Sequence, residues 1–202
     1  MSRWTIVVFT SLLAASMPAS ASYIGIFLDA GATTCIAQVG PTPFIDLHVV
    51  AVLSGEVPVM MGAQFQITGA PEGWSSSNVL WVPADGALNL GHPMFASPPR
   101  KRGVINAFSS CQGAEGEVTR VPLGRLILLG APTPVNVHLR VQGFELVPTD
   151  PRCAFVVNCD LPAGLAKECV EGGEIVLNGD AAGGCGVAVH RSSWTTIKCL
   201  YR

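Results

Sequence analysis

Residues Phe44 to Leu53 read FIDLHVVAVL. Ile45, Leu47, Val49, Ala51 and Leu53 fall on one side of an extended chain, with Asp46 and His48 on the other. A period of two marks a strand with one face buried. Gly62 to Thr68 (GAQFQIT) repeats it, with Ala63, Phe65 and Ile67 inward and Gln64 and Gln66 outward. Val135 to Val141 (VNVHLRV) does so again, with Asn136, His138 and Arg140 outward. Shorter apolar runs predict further strands at Tyr23 to Leu28, Val79 to Val82, Val104 to Phe108 and Arg125 to Leu129. Gly40-Pro41, Gly69-Ala70-Pro71 and Gly130-Ala131-Pro132 punctuate them. Glycine accepts backbone angles that other residues resist, and proline cannot donate to a ladder. Many short strands with such turns predict an all-β, antiparallel β-sandwich. The strands do not alternate with helical patterns, which argues against a parallel doubly wound sheet.

The amino terminus reads as an export signal. Arg3 gives a short positive region, Thr5 to Ala15 an apolar stretch, and Ala19-Ser20-Ala21 small residues at a cleavage site. The apolar run falls well short of the roughly 20 residues that span a bilayer. A lipoprotein would need a cysteine directly after the cut, and the first is Cys35. Cleavage after Ala21 leaves 202 − 21 = 181 residues, one full core. Removing Arg3 leaves 12 − 1 = 11 basic against 14 acidic residues, so no strong field recruits nucleic acid or an anionic membrane. The expected organisation is a signal peptide over 1–21, the sandwich over 22–148, a Cys-rich β extension over 149–191 and a short terminal helix or tail over 192–202. After signal removal no membrane span is expected, and the protein is secreted, periplasmic or on the cell surface.

All seven cysteines fall in the mature part: Cys35, Cys111, Cys153, Cys159, Cys169, Cys185 and Cys199. In an exported protein their default state is the disulfide. Zinc would call for close pairs, and Cys153-x5-Cys159 is the tightest spacing, with no histidine nearby. The preferred pairs are Cys35–Cys111, Cys153–Cys159 and Cys169–Cys185, although six cysteines allow about 15 pairings. Cys199 is the candidate free or intermolecular thiol. Strands are also expected at Cys153 to Val157 and Glu174 to Leu177. Near the end, Trp194, Ile197, Lys198 and Tyr201 share one helical face, either packing on the sheet or forming a tail that a partner recognises.

Catalytic patterns do not emerge. The sequence lacks G-x-S-x-G, a P-loop and H-E-x-x-H. His48, His92, His138 and His190 read as surface histidines without metal-ligand spacing, and Asn178-Gly179-Asp180 reads as a turn rather than a calcium loop. No catalytic residue, cofactor or metal site is expected. Trp74 and Trp81 flank the polar loop Ser75-Ser76-Ser77-Asn78 and are the binding candidates. Tryptophan stacks on sugars or anchors protein contacts, and equally fills cores.

The run Gly62-Ala-Gln-Phe-Gln-Ile-Thr-Gly with Pro71 and Trp74, then Gly103-Val-Ile-Asn-Ala-Phe, then Leu123-Gly-Arg-Leu-Ile-Leu-Leu, resembles the order of cohesin-like sandwich domains over roughly residues 44–142. The resemblance implies a cohesin-like or immunoglobulin-like sandwich. The chain also resembles a family of exported bacterial proteins. It shares with them the opening Ile24-Gly-Ile-Phe-Leu-Asp, a Cys153 to Cys159 hairpin and the closing Ser193-Trp-Thr-Thr-Ile-Lys198. Neither resemblance implies an activity. The expectation is a secreted, non-enzymatic binding or structural module that takes a protein partner or a glycan through a sheet face. The alternatives are a secreted hydrolase with an unrecognised site and a self-assembling surface component.

Overall fold

A computed structural model describes residues 22–55, 57–96, 102–114, 118–143, 153–159 and 166–179. They carry strands β1 (Tyr23–Phe27), β2 (Ile36–Ala37), β3 (Phe44–Leu53), β4 (Val59–Thr68), β5 (Val79–Pro83) and β6 (Ala87–His92). β7 (Gly103–Gly113), β8 (Thr119–Leu129), β9 (Val137–Gln142), β10 (Cys153–Asn158), β11 (Ala166–Gly172) and β12 (Glu174–Leu177) follow. The described residues contain no helix. The expected terminal helix, with Trp194, Ile197, Lys198 and Tyr201, lies outside them, as do the signal region, Cys185 and Cys199.

The sandwich has two layers. One runs β5-β8-β3-β1 and the other β6-β7-β4-β10. β11 joins them along one side, antiparallel to β10 and parallel to β1 over two residue pairs. The far end of β4 turns instead to β9, which continues through β12 to the two-residue β2. Apart from β1–β11 and β12–β2, every ladder is antiparallel.

The alternation explains the layering. Leu47, Val49, Ala51 and Leu53 of β3, Ala63, Phe65 and Ile67 of β4, and Leu126 and Leu128 of β8 are all fully buried between the layers. A smaller cluster of Phe27, Ala32, Cys35, Val50 and Val52 lies under the loop that follows β1. Past Val49, therefore, β3 is apolar on both faces.

Strands also form where the sequence pattern is weak. β8 runs through Pro122 and Gly124, which read as breakers. A register shift lets Val49 pair with Gly124 and Val50 with Pro122, leaving Leu123 as an extra residue. A bulge is the place in a sheet where proline and glycine fit. In β6 the pattern is inverted, for Leu88 and Leu90 face out at 66% and 41% exposure, while Asn89 bonds Trp81.

The cysteine pairing differs from expectation. The bridges are Cys111–Cys159 and Cys153–Cys169, which excludes all three preferred pairs. Cys153 and Cys159 bracket a single extended strand, roughly 20 Å apart, far beyond disulfide reach. Antiparallel pairing of β10 and β11 instead brings Cys153 diagonally beside Cys169, with Cα atoms 5.2 Å apart. Met60 pairs with Gln112 on one side and Asn158 on the other, which brings Cys111 within 6.2 Å of Cys159. Cys35 is also disulfide-bonded. The Cys-rich extension enters the sheets, since β10 and β11 lie between β4 and β1. Gly172 makes that insertion possible: a side chain there would collide with the Val141 carbonyl.

Candidate partner-binding face

The outer face of β3, β8 and β5 carries the most exposed aromatic residue among the described large hydrophobics. Phe44 pairs with Leu129 across β3 and β8, and they are 77% and 40% exposed. One step along, Asp46, Ile127 and Leu80 share a row, with Leu80 39% exposed. The next row holds His48, Arg125 and Val82. Strand geometry makes these rows and the bulge beyond them a face about 20 Å long.

The face ends in a groove of about 350 Å³ over the bulge. His48, Val50, Val82, Asp85, Phe108 and Arg125 are among its walls. Its floor is apolar and its rim polar, a distribution that suits ligand recognition. Arg125 donates from Nη1 to Asp46 Oδ2 at 2.5 Å, with both side chains substantially exposed. Such a surface pair contributes about 0–1 kcal/mol, so a partner's carboxylate can compete for the guanidinium. His48 and Asp85 make no side-chain hydrogen bond among the described residues and are available at the rim.

The tryptophans lie elsewhere. Trp74 is buried at 7% exposure, and its Nε1 donates to the Pro132 carbonyl at 2.6 Å. Its ring has no free face to offer a sugar. Trp81 is half-buried, packs edge-on against Phe65 and donates to Asn89 Oδ1 at 2.9 Å. A side chain at Gly124 would run into its ring. The structure therefore separates both sequence candidates from the exposed face. Phe44, Leu80, Leu129 and Arg125, which the face presents, are not among the sequence candidates. The available signal was Phe44 standing in the outward register of Asp46 and His48.

His92 is not a surface histidine. It is partly buried, and both ring nitrogens meet backbone groups. His138 does face outward, but its Nδ1 bonds Glu174 Oε1, and its Nε2 lies 3.0 Å from Asn136 Oδ1. Arg140 Nε donates to Glu174 Oε2 at 2.5 Å. Partial burial alone would raise the Glu174 carboxyl; hydrogen bonds from His138 and Arg140 outweigh it and hold the group below its ordinary value. Asn178 is a structural joint. Its Oδ1 accepts from Val39 N at 2.7 Å, and its Nδ2 donates to the Thr133 and Pro134 carbonyls. Asp180 lies outside the described residues.

Among the described residues, no group of three or more His, Cys, Asp or Glu comes together as a metal site. Nor is any helix there long and apolar enough to cross a membrane. The disulfides fit an oxidising compartment.

No family model matches the chain, and no curated protein matches it. Among solved structures it is similar to the cohesin module from Clostridium perfringens ATCC13124 family 33 glycoside hydrolase. The two share 10% identity over 79% of this chain and 98% of that one, with a TM-score of 0.39.

Proposed function

We propose that this chain is an exported, non-enzymatic binding module that holds a protein partner on the outer face of β3, β8 and β5. The observation that carries this reading is the exposed row Phe44–Leu129 beside Leu80, continuous with a groove whose rim includes His48, Asp85 and Arg125. Exposed aromatic and aliphatic anchors next to a polar rim are the composition of a protein interface. The sandwich and its disulfides supply a rigid platform, so little ordering cost falls on the binding step. With Trp74 buried, a glycan has no stacking ring at that position.

Site-specific photocrosslinking on the exported protein tests the proposal. A crosslinker at position 44 or 80 is expected to give one discrete protein adduct. One at Arg140, on the ladder of β9, is expected to give none. Leu129→Glu should abolish the adduct while leaving the circular dichroism spectrum unchanged. Equal adducts from both positions, or no adduct from 44 and 80, would overturn it.

A further inference from the structure

β5 and β6 follow each other through the turn Ala84–Gly86, yet they belong to opposite layers. β5 pairs with β8 and β6 with β7, and no ladder joins β5 to β6 among the described residues. Side chains close this open side of the sandwich. Trp81 reaches from β5 to Asn89 of β6 near one end. At the other end, His92 reaches back to the Val79 carbonyl, 3.3 Å from Nε2.

The surroundings of His92 fix its protonation. Nδ1 lies 3.1 Å from Met94 N and 3.3 Å from Phe95 N. Both are backbone donors, so Nδ1 accepts and carries no proton. Nε2 must then hold the proton and donate to Val79. A second proton on Nδ1 would point at two N–H groups and remove both bonds. The segment they anchor is part of the core. Met94 is 1% exposed, and the Pro93 carbonyl accepts from Ile67 N of β4 at 2.8 Å. Phe95 packs against the imidazole with ring centroids 4.9 Å apart.

We propose that His92 is an acid-sensitive latch, whose protonation releases residues 93–95 and opens the sandwich between β5 and β6. Among the described residues, the groups that face the ring are Val79 from β5 and Met94 and Phe95 from the following loop, and none of these is charged. Gly103 is its register partner on β7. Asp85 in the β5–β6 turn and Arg102 ahead of β7 make no hydrogen bond or ion pair with it among the described residues. Burial disfavours the imidazolium and outweighs the opposing effect of the Val79 hydrogen bond, so the closed state holds the group below its ordinary value. The open state binds the proton more readily. The latch is therefore fully closed above the ordinary histidine value and weakens as pH falls below it.

Amide hydrogen exchange and histidine NMR on the oxidised protein test this. Near neutral pH the His92 ring should show the Nε2–H tautomer. Protection of the Met94 and Phe95 amides, corrected for intrinsic exchange, should fall up to about tenfold per pH unit below about 6.5. His92→Gln, which can accept and donate but does not titrate in this range, should keep its protection. Loss of protection in both proteins would assign the effect to another group and overturn the latch. So would unchanged protection in the wild-type protein while the His92 ring signals titrate, a result that needs no variant.

Discussion

Asn106 Nδ2 donates to the Leu123 carbonyl oxygen at 2.6 Å, so a side chain of β7 crosses the core to hold the extra residue of the β8 bulge. Asn106 is 1% exposed. Its Oδ1 has no partner among the described residues, so the amide acts there through its donor. Asn106→Ala removes one of two hydrogen bonds to that carbonyl, which keeps the one from Ala84 N at 3.1 Å, and is expected to cost about 0.5–1.5 kcal/mol. Asn106→Asp should cost more at neutral pH, because it faces a carboxylate toward that carbonyl, and should recover on acidification. Urea denaturation of the oxidised protein reads both, and an alanine variant within about 0.5 kcal/mol of wild type would show that the tie is dispensable.

The disulfides should contribute unequally. Cys111–Cys159 closes a separation of 48 residues and Cys153–Cys169 one of 16. Loop-closure entropy then gives about 4 kcal/mol for the first and about 3 kcal/mol for the second. Paired Cys-to-Ser variants in chemical denaturation should follow that order. Peptide mapping without reduction should recover these two linkages, and a Cys153–Cys159 peptide would contradict the strand register.

Asn178 adopts a left-handed backbone, φ 53°, and its side chain makes three hydrogen bonds to loop backbone. Asn178→Gly keeps the backbone and loses the amide, for an expected cost of about 1–3 kcal/mol. Asn178→Ala adds the left-handed penalty, about 1 kcal/mol more. Thermal melts should rank wild type above Gly above Ala. An alanine variant as stable as the glycine variant would count against backbone strain there.

Glu174 is held below its ordinary value in the folded state. Its stabilising contribution is therefore complete above the unfolded carboxyl value, about 4.3, and is lost as pH falls through the lower folded value. Glu174→Gln should flatten that acid limb, seen as a smaller drop in denaturation midpoint between about pH 5.5 and pH 3. An unchanged limb would assign it to other carboxylates.

The sequence determined the fold class because burial of a sheet face is written locally. In FIDLHVVAVL, GAQFQIT and VNVHLRV, side-chain period picks out most of the core, and Leu47, Phe65 and Leu139 are fully buried as that pattern requires, whereas Gln66 is buried against its outward register and Val135 lies 81% exposed ahead of β9. Inverted β6 and the bulged run through Pro122 and Gly124 escaped it, because their logic depends on partners across the sandwich. Asn89 turns inward because Trp81 needs an acceptor, and Pro122 is tolerated because β3 is one residue shorter at that point. The cysteine partners depend on which strands are neighbours. Cys153 and Cys159 are close in sequence but sit at opposite ends of one strand, whereas Cys111 reaches Cys159 across 48 residues. The same holds for the exposed face. Phe44 and Leu80 are 36 positions apart in sequence, and only the pairing of both strands to β8 places them on one surface.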